Sequence, residues 1–234
     1  MYNMLNKILD YSIISKDSII LKEKEGYIFA KVKRSNHKIK FPKEVNKDVA
    51  YLFGVIMGDG RLEKSIRKVS KYPRTKLYIY NDSKQYLIRL NEYLKKEFNV
   101  PTRIYKKNYN NCYVLELNNK FVWLYFSKYL NIENKKLNLQ IPKEVQNKEL
   151  FKHFLAGLFD TDGYFSKVYG IMLNGSNYNF LLEINKLCEK YYNIKMLGPY
   201  KNILKKDGKE YSRCSISTSM PYNEQFKEIV PLKI

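Results

Sequence analysis

Two stretches of the chain are apolar on every side and end in the same dipeptide. Residues 51–60 read Tyr-Leu-Phe-Gly-Val-Ile-Met-Gly-Asp-Gly, and residues 154–163 read Phe-Leu-Ala-Gly-Leu-Phe-Asp-Thr-Asp-Gly. A helix without a polar face must be buried. The small residues Gly54, Gly58, Ala156, Gly157 and Thr161 would let two such helices approach closely. Asn46 stands where an N-cap is expected for a helix from about 47 to 57, and Asn147 holds the same place before the second run. After the first Asp-Gly come two strand-like segments, near 62–70 and 74–80. In the latter, Thr75, Leu77 and Ile79 alternate with Arg74, Lys76, Tyr78 and Tyr80, the period of a strand with one apolar face and one basic, aromatic face. A helix is expected over roughly 84–98, two strands around a polar turn at 108–111, and an aromatic helix from about 120 to 129. The order is αββαββα.

That order returns. Phe-Pro-Lys-Glu-Val at 41–45 recurs as Ile-Pro-Lys-Glu-Val at 141–145, Asn81-Asp82-Ser83 is echoed by Asn174-Gly175-Ser176, and Asn99-Val100 by Asn193-Ile194. The chain therefore reads as two copies, 41–140 and 141–234, with Asp207-Gly208 as a hairpin turn and Pro221 near the start of a terminal helix. The expected fold class is α+β, with two pseudo-symmetric αββαββα repeats packed through the Asp-Gly helices. Pro42 lies 17 positions before Asp59, but Pro142 lies 20 before Asp162. The three extra residues must precede the second helix or lengthen its start. Residues 1–40 stand outside the repeat as a short helix plus small strands, with Lys31, Lys33, Arg34, Lys38 and Lys40 near their end. A DNA-contacting arm and a structural brace are both open for them.

Composition narrows the partners. The 234 residues are 44% apolar, enough for a packed core, and carry a net charge of +20 along their whole length. Such a field favours a polyanion, without choosing between DNA, RNA and an anionic membrane. The longest apolar runs, near 51–57 and 121–126, fall far short of the ~20 residues that span a bilayer, so no membrane partner is expected. Residues 1–10 lack the blocks of a signal peptide, which makes an intracellular protein the expectation, in the cytoplasm or nucleoid of a prokaryote or in an organelle. Cys112, Cys188 and Cys214 have no metal or disulfide spacing and read as free thiols. His37 and His153 are isolated, against a zinc site or a His-based triad.

The chemistry is concentrated at Asp59 and Asp162. A carboxylate at a helix C-terminus meets the negative end of the dipole, an unfavourable contribution of roughly 0.3–1 kcal/mol. Two such carboxylates side by side would also repel. A divalent cation relieves both, and an oxygen-rich site suits Mg²⁺; paired ions can activate water and stabilise the leaving oxygen of a phosphodiester. One Asp-Gly alone is simply a turn that ends a helix, and its duplication at matched positions is what argues for chemistry. Asp160 has Met57 as its counterpart and reads as structural.

Residues 155–163, Leu-Ala-Gly-Leu-Phe-Asp-Thr-Asp-Gly, closely resemble the LAGLIDADG motif, and Met57-Gly58-Asp59-Gly60 ends a variant form of it. The resemblance covers about 41–234 and is similar to the two-motif monomeric homing endonucleases of archaea and organelles. It implies a saddle-shaped antiparallel β surface laid on DNA and a site-specific endonuclease that hydrolyses phosphodiester bonds at a long asymmetric target. It also implies Mg²⁺ or Mn²⁺ as cofactor, Ca²⁺ binding without cleavage, and a monomer needing no obligate protein partner. The family's metal-binding acid falls on Asp59 and Asp162, with Gly58 and Thr161 beside them. The polar residue that helps order active-site water falls on Asn81 and Asn174, which otherwise merely start the next helices. Lys64, Arg61 and Lys167 are candidates for the basic residue near the metals, while Asp82 stands where a Lys is expected. The DNA-facing candidates are Arg61, Lys64, Arg67, Arg74, Lys76 and Tyr78 in the first half and Ser166, Val168 and Tyr200 in the second; a solvated sheet face is the alternative. Three rivals share the motif: a maturase acting on intron RNA, a DNA-binding regulator without cleavage, and an intein. The paired Asp residues argue against the regulator. The Met1 start and the Pro231-Leu232-Lys233-Ile234 end argue against the intein and lead to the expectation of a free-standing chain.

Overall fold

Every expected helix cap from the first repeat onward can be followed in a computed structural model of the chain. The structure describes residues 19–32, 38–65, 74–107, 111–130, 139–166, 169–206 and 209–232. The short helix expected near the start, the far end of the 62–70 strand and the Asp207-Gly208 turn fall outside these residues, as does most of the turn at 108–111.

Strands β1 (Ile19–Lys24), β2 (Tyr27–Val32) and β3 (Ile39–Pro42) form an antiparallel sheet in that order. Glu25 and Gly26, both at positive φ (51° and 75°), make the tight turn between β1 and β2. The first repeat then runs α1 (Lys47–Asp59), β4 (Gly60–Ser65), β5 (Arg74–Asn81), α2 (Lys84–Phe98), β6 (Arg103–Lys106), β7 (Tyr113–Leu117) and α3 (Lys120–Tyr129). The second runs α4 (Lys148–Asp162), β8 (Gly163–Ser166), β9 (Gly170–Gly175), α5 (Tyr178–Tyr192), β10 (Met196–Lys206), β11 (Lys209–Thr218) and α6 (Asn223–Ile229). Both are αββαββα. The sheets are β4-β5-β7-β6 and β10-β11-β9-β8, so in each repeat the first strand pairs with the second, the second with the fourth and the fourth with the third, all antiparallel. The expected α+β class and repeated order are what the chain adopts.

The caps are made by the residues the sequence offers. Asn46 Oδ1 accepts from the backbone N–H of Asp48 and Val49 at 3.1 and 3.0 Å, and Asn147 Oδ1 accepts from Leu150 at 3.0 Å. Asn99 and Asn193 close α2 and α5 in the left-handed region, at φ 50° and 57°. Helix α1 runs two residues beyond the expected 57, to Asp59. It has 13 residues where α4 has 15, so two of the three extra residues lengthen the second helix. The third lies between Pro142 and the Asn147 cap, in a segment with a short 3₁₀ turn over Lys143–Val145.

The chain divides into two compact units, Met1–Val49 with Asp59–Glu133, and Ala50–Gly58 with Asn134–Ile234. The body of the first Asp-Gly helix thus packs with the second repeat. In the first unit, α2 lies on β3 and on the sheet strands β5, β6 and β7, burying Leu87, Leu90, Leu94 and Phe98. Phe41, Phe98, Tyr125 and Phe126 form its aromatic centre, with ring centroids 5.2–5.9 Å apart. The buried Glu97 carboxylate accepts from Asn46 Nδ2 at 2.7 Å and from the Tyr27 hydroxyl at 3.2 Å.

In the second unit, residues 50–58 and α4 meet backbone to backbone. A Cβ at Gly54 would stand 2.1 Å from the Phe154 carbonyl, and one at Gly157 would stand 2.1 Å from the Tyr51 carbonyl. Each helix therefore crosses the other at a position where only a hydrogen fits. Further along, a Cβ at Gly58 would meet Thr161 Oγ1 at 2.1 Å and Asp162 Oδ2 at 3.1 Å. Both helices advance in the same direction along these contacts, so the packing is parallel, with the close approach that the small residues led one to expect.

Candidate active site

Asp59 closes α1 and is followed at once by β4, so its carboxylate stands where a helix becomes a sheet strand. Asn81, the last residue of β5, donates from Nδ2 to Asp59 Oδ2 at 3.3 Å, while its Oδ1 accepts from the Ser83 N–H at 2.9 Å. Of the two readings of Asn81, the start of the turn into α2 is the one seen here, and the same side chain also holds the Asp59 carboxylate. Such a donor fixes the orientation of the carboxylate.

Asp162 closes α4 in the same way. It lines a cavity of about 360 Å³ together with Met57, Gly58, Asn174, Ser176 and Arg213. Thr161 spends its hydroxyl on the Gly157 and Leu158 carbonyls of its own helix, at 3.1 and 2.9 Å. Asp160 is buried and accepts from the Tyr51 hydroxyl at 2.8 Å, a bond between the two packed helices.

The two repeats do not align at Asn81 and Asn174. Gly60 pairs with Ile79 in the first sheet and Gly163 pairs with Leu173 in the second, so Asn81 corresponds to Gly175, and Asn174 to Tyr80. The caps agree: Ser83 caps α2 and Asn177 caps α5, each two residues beyond that position. The echo of Asn81-Asp82-Ser83 is Gly175-Ser176-Asn177. Because strand side chains alternate, Asn174 belongs to the opposite face of its sheet from the one Asn81 occupies in the first.

The remaining candidates separate by face. In the first sheet Thr75, Leu77 and Ile79 are buried, as their alternation predicts. On the other face Arg61 lies opposite Tyr78, Tyr78 opposite Glu116, and Glu116 opposite Arg103. Arg61 pairs with Glu63 at 3.4 Å. Lys64 is exposed, but it pairs in register with Thr75 and so belongs to the core-side set, not to that of Arg61. Arg74 shares the outer face with Lys76 and Tyr78. Lys76, expected to be an open basic residue, is 9% exposed and pairs with Glu116, which also accepts from the Tyr105 hydroxyl at 3.4 Å. Burial works against the Lys76 ammonium, yet hydrogen bonds to Glu116 and Tyr78 hold its pKa above the ordinary lysine value.

In the second sheet Tyr200 pairs with Ser215 and Ser215 with Asn174, and Tyr164 pairs with Met172 and Met172 with Ser217. Tyr200 is 55% exposed, and Ser166 Oγ accepts from the Tyr169 N–H at 3.2 Å. Arg67, Lys167 and Val168 lie outside the described residues. Arg213 was not singled out by sequence, although Arg213-Cys214-Ser215-Ile216-Ser217 alternates polar and apolar positions and puts Arg213 on the Ser215 face. Cys188 is fully buried, which pushes its thiol pKa up and keeps it out of any surface chemistry.

Residues 46–130 match the family model described as a LAGLIDADG-like domain. The chain is 29% identical to glutamine–fructose-6-phosphate aminotransferase of Methanocaldococcus jannaschii over 176 residues, 72% of this chain and 15% of that protein. It is also 29% identical to an A-type ATP synthase component of Pyrococcus abyssi over 136 residues, 57% of this chain and 12% of that one. It therefore spans a small fraction of the curated relatives it matches. Among solved structures it is similar to the homing endonuclease I-DmoI in complex with DNA and Ca, with TM-score 0.57 and 20% identity over 79% of this chain and 88% of that one. It is also similar to the N-terminal LAGLIDADG domain of DUF199/WhiA, with TM-score 0.51 and 15% identity over 80% and 83%. At these identities the structures speak for the fold. The match over residues 46–130 is thus to a LAGLIDADG-like domain, and the chain as a whole shares the fold of these structures.

Proposed function

We propose that the chain is an intracellular, site-specific endonuclease that hydrolyses both strands of duplex DNA at a long asymmetric target, using Asp59 and Asp162, one acid from each repeat. The observation that carries this reading is the parallel glycine packing of the Asp-Gly helices, which sets Gly58 against Thr161 and Asp162 with Asp59 next in the chain. Burying a close backbone contact explains Gly54 and Gly157, but it gives no reason for an acid at the end of each helix. Phosphodiester chemistry does.

The donor set suits a hard divalent cation. Among the described residues no three His, Cys, Asp or Glu side chains cluster as a metal cage. Asp59 and Asp162 would hold Mg²⁺ or Mn²⁺ with help from the Gly58 and Thr161 carbonyls, leaving positions for water and phosphate oxygens. The chemistry a cation held there would supply is a lowered water pKa and stabilisation of the leaving oxygen. I-DmoI has been seen with DNA and Ca, with DNA and Mn, and, as a point variant, with target DNA and Mg. Asn81 would keep the Asp59 carboxylate aimed. Arg213, on the wall of the Asp162 cavity, would meet a phosphate. Arg61, Arg74, Tyr78 and Arg103 on one sheet, and Tyr164, Ser166, Asn174 and Tyr200 on the other, would contact the duplex, with Arg able to pair with guanine and the amide and hydroxyl groups with bases or phosphates.

The test is incubation with a randomised duplex library in Mg²⁺ and in EDTA, followed by sequencing of the ends. Metal-dependent double-strand cuts at one long, non-palindromic site are expected. Binding without cutting in any divalent metal would leave a regulator, and rescue of intron splicing without DNA cleavage would leave a maturase.

A further inference from the structure

The three-stranded sheet outside the repeats has one face sunk in the core and one that is basic and aromatic. Ile28, Ala30, Ile39 and Phe41 are 0–3% exposed on the inner side. The register places Lys22 opposite Phe29 and Phe29 opposite Lys40 across the outer side, with Lys24 opposite Tyr27 in the next row. Phe29 borders an open groove of about 630 Å³ that Lys22, Lys24, Lys31 and Lys38 also line. The nearby acids are engaged: Glu23 with Lys43, and Glu25 with Lys24 at 3.1 Å. Lys22, Lys31 and Lys38 make no ion pair among the described residues. The second ring of the face is committed elsewhere, since Lys40 Nζ sits 4.4 Å over the Tyr27 ring and the Tyr27 hydroxyl bonds Glu97.

We infer that this face binds a single-stranded nucleic acid segment, with a base stacked on Phe29 and the flanking phosphates on Lys22, Lys31 and Lys38. Lysines alone would serve any anion. An apolar ring at the centre of a lysine row is what a stacking platform requires, because each base has a π-face that a duplex keeps hidden. An acidic protein surface has no use for the ring. The site lies in the N-terminal sheet, goes beyond the endonuclease reading and does not depend on it.

The full-length protein is titrated, in EDTA, into labelled 12-nucleotide RNA, 12-nucleotide DNA and a 12-base-pair duplex, with fluorescence anisotropy as the readout. Single strands should bind with a log–log salt slope of about −2, the value for three lysine–phosphate contacts. Phe29→Leu should weaken single-strand binding about tenfold and leave duplex binding within twofold. Phe29→Tyr should retain the affinity, and Lys22→Ala with Lys31→Ala should reduce the magnitude of the slope by about 1.4. The RNA and DNA arms decide which strand is preferred. The inference is overturned if Phe29→Leu and Phe29→Tyr bind single strands alike, if the lysine pair leaves the slope unchanged, or if anionic phospholipid vesicles bind the face in a Phe29-dependent way while single strands do not. Metal-dependent cleavage of duplex DNA is read separately, so its absence would sink the nuclease and leave this result standing.

Discussion

The two repeats share a strand order and differ in what they present. In the first sheet the outer row runs Arg61, Tyr78, Glu116, Arg103, with Lys76 tied to Glu116 nearby. In the second the corresponding rows hold Tyr164, Met172 and Ser217, then Asn174, Ser215 and Tyr200. The inner pairs keep their character: Ile79 with Leu115 becomes Leu173 with Ile216, all fully or almost fully buried. The core keeps its volume because packing penalises change there, whereas the outer face is free to diverge. The first row carries the charged Arg61, Glu116 and Arg103, whereas the named rows of the second carry tyrosine rings, hydroxyls and an amide but no charge. Under the proposed function, a single chain built this way would suit an asymmetric duplex.

The comparison is broken most severely at the two acids. Asp59→Asn and Asp162→Asn keep shape and remove the charge that would hold a divalent cation. Each should lower double-strand cleavage by about 10³-fold or more, since catalysis of this kind rests on charge stabilisation worth several kcal/mol. Duplex affinity in Ca²⁺ should change less than threefold. If either variant cuts at the wild-type rate, that repeat's acid is not in the site.

Next come the glycines at the helix crossing. Gly157→Ala sets a methyl 2.1 Å from the Tyr51 carbonyl, a backbone atom that cannot swing aside. Overpacking of this kind costs about 3 kcal/mol, to be read from denaturant unfolding. Gly54→Ala should match it, the reciprocal contact being equally short. A smaller effect, about 1–2 kcal/mol, is expected for Glu116→Gln, which leaves the nearly buried Lys76 ammonium with a weaker partner. The same experiment has no counterpart in the second sheet, where Ser215 and Ser217 occupy that face. A Glu116→Gln variant as stable as the parent would show that the ion pair contributes nothing to the first sheet.

Much of this could be read from the chain itself, and the failures have physical causes. The Asn46, Asn147, Asn99 and Asn193 ends were legible because capping is local: the residue that satisfies the orphan backbone groups lies within a few positions of them. The alternation of 74–80 was legible for the same reason. The cover over Lys76 was not legible because alternation gives the face and not the cover, and Glu116 and Tyr105 come from strands 40 and 29 positions away. Asn174 was matched to Asn81 by residue type, while the ladder and the cap both count one position further. That residues 50–58 pack with the second repeat is a tertiary choice, written in Gly54 and Gly157 but readable only once their partners are known.

The finest test of the comparison lies at Gly175, where the register puts the counterpart of Asn81. A Cβ there would meet Leu181 at 3.6–3.7 Å, which is ordinary contact, so the site has room that Gly157 lacks. Gly175→Asn gives the second repeat the amide that the first carries beside Asp59. Glycine in a strand interior is already unfavourable for entropy, and its replacement where space allows should shift stability by about 0.5 kcal/mol or less in either direction. With the amide placed as in the first repeat, the added donor would lie on the cavity that Asp162 lines, and cleavage of the target should be at least as fast as in the parent. A loss of stability near 2 kcal/mol would show instead that the two strands are out of register with one another. The match of Asn81 to Gly175 would then fail, and with it the claim that the two repeats differ at this position only by a missing side chain.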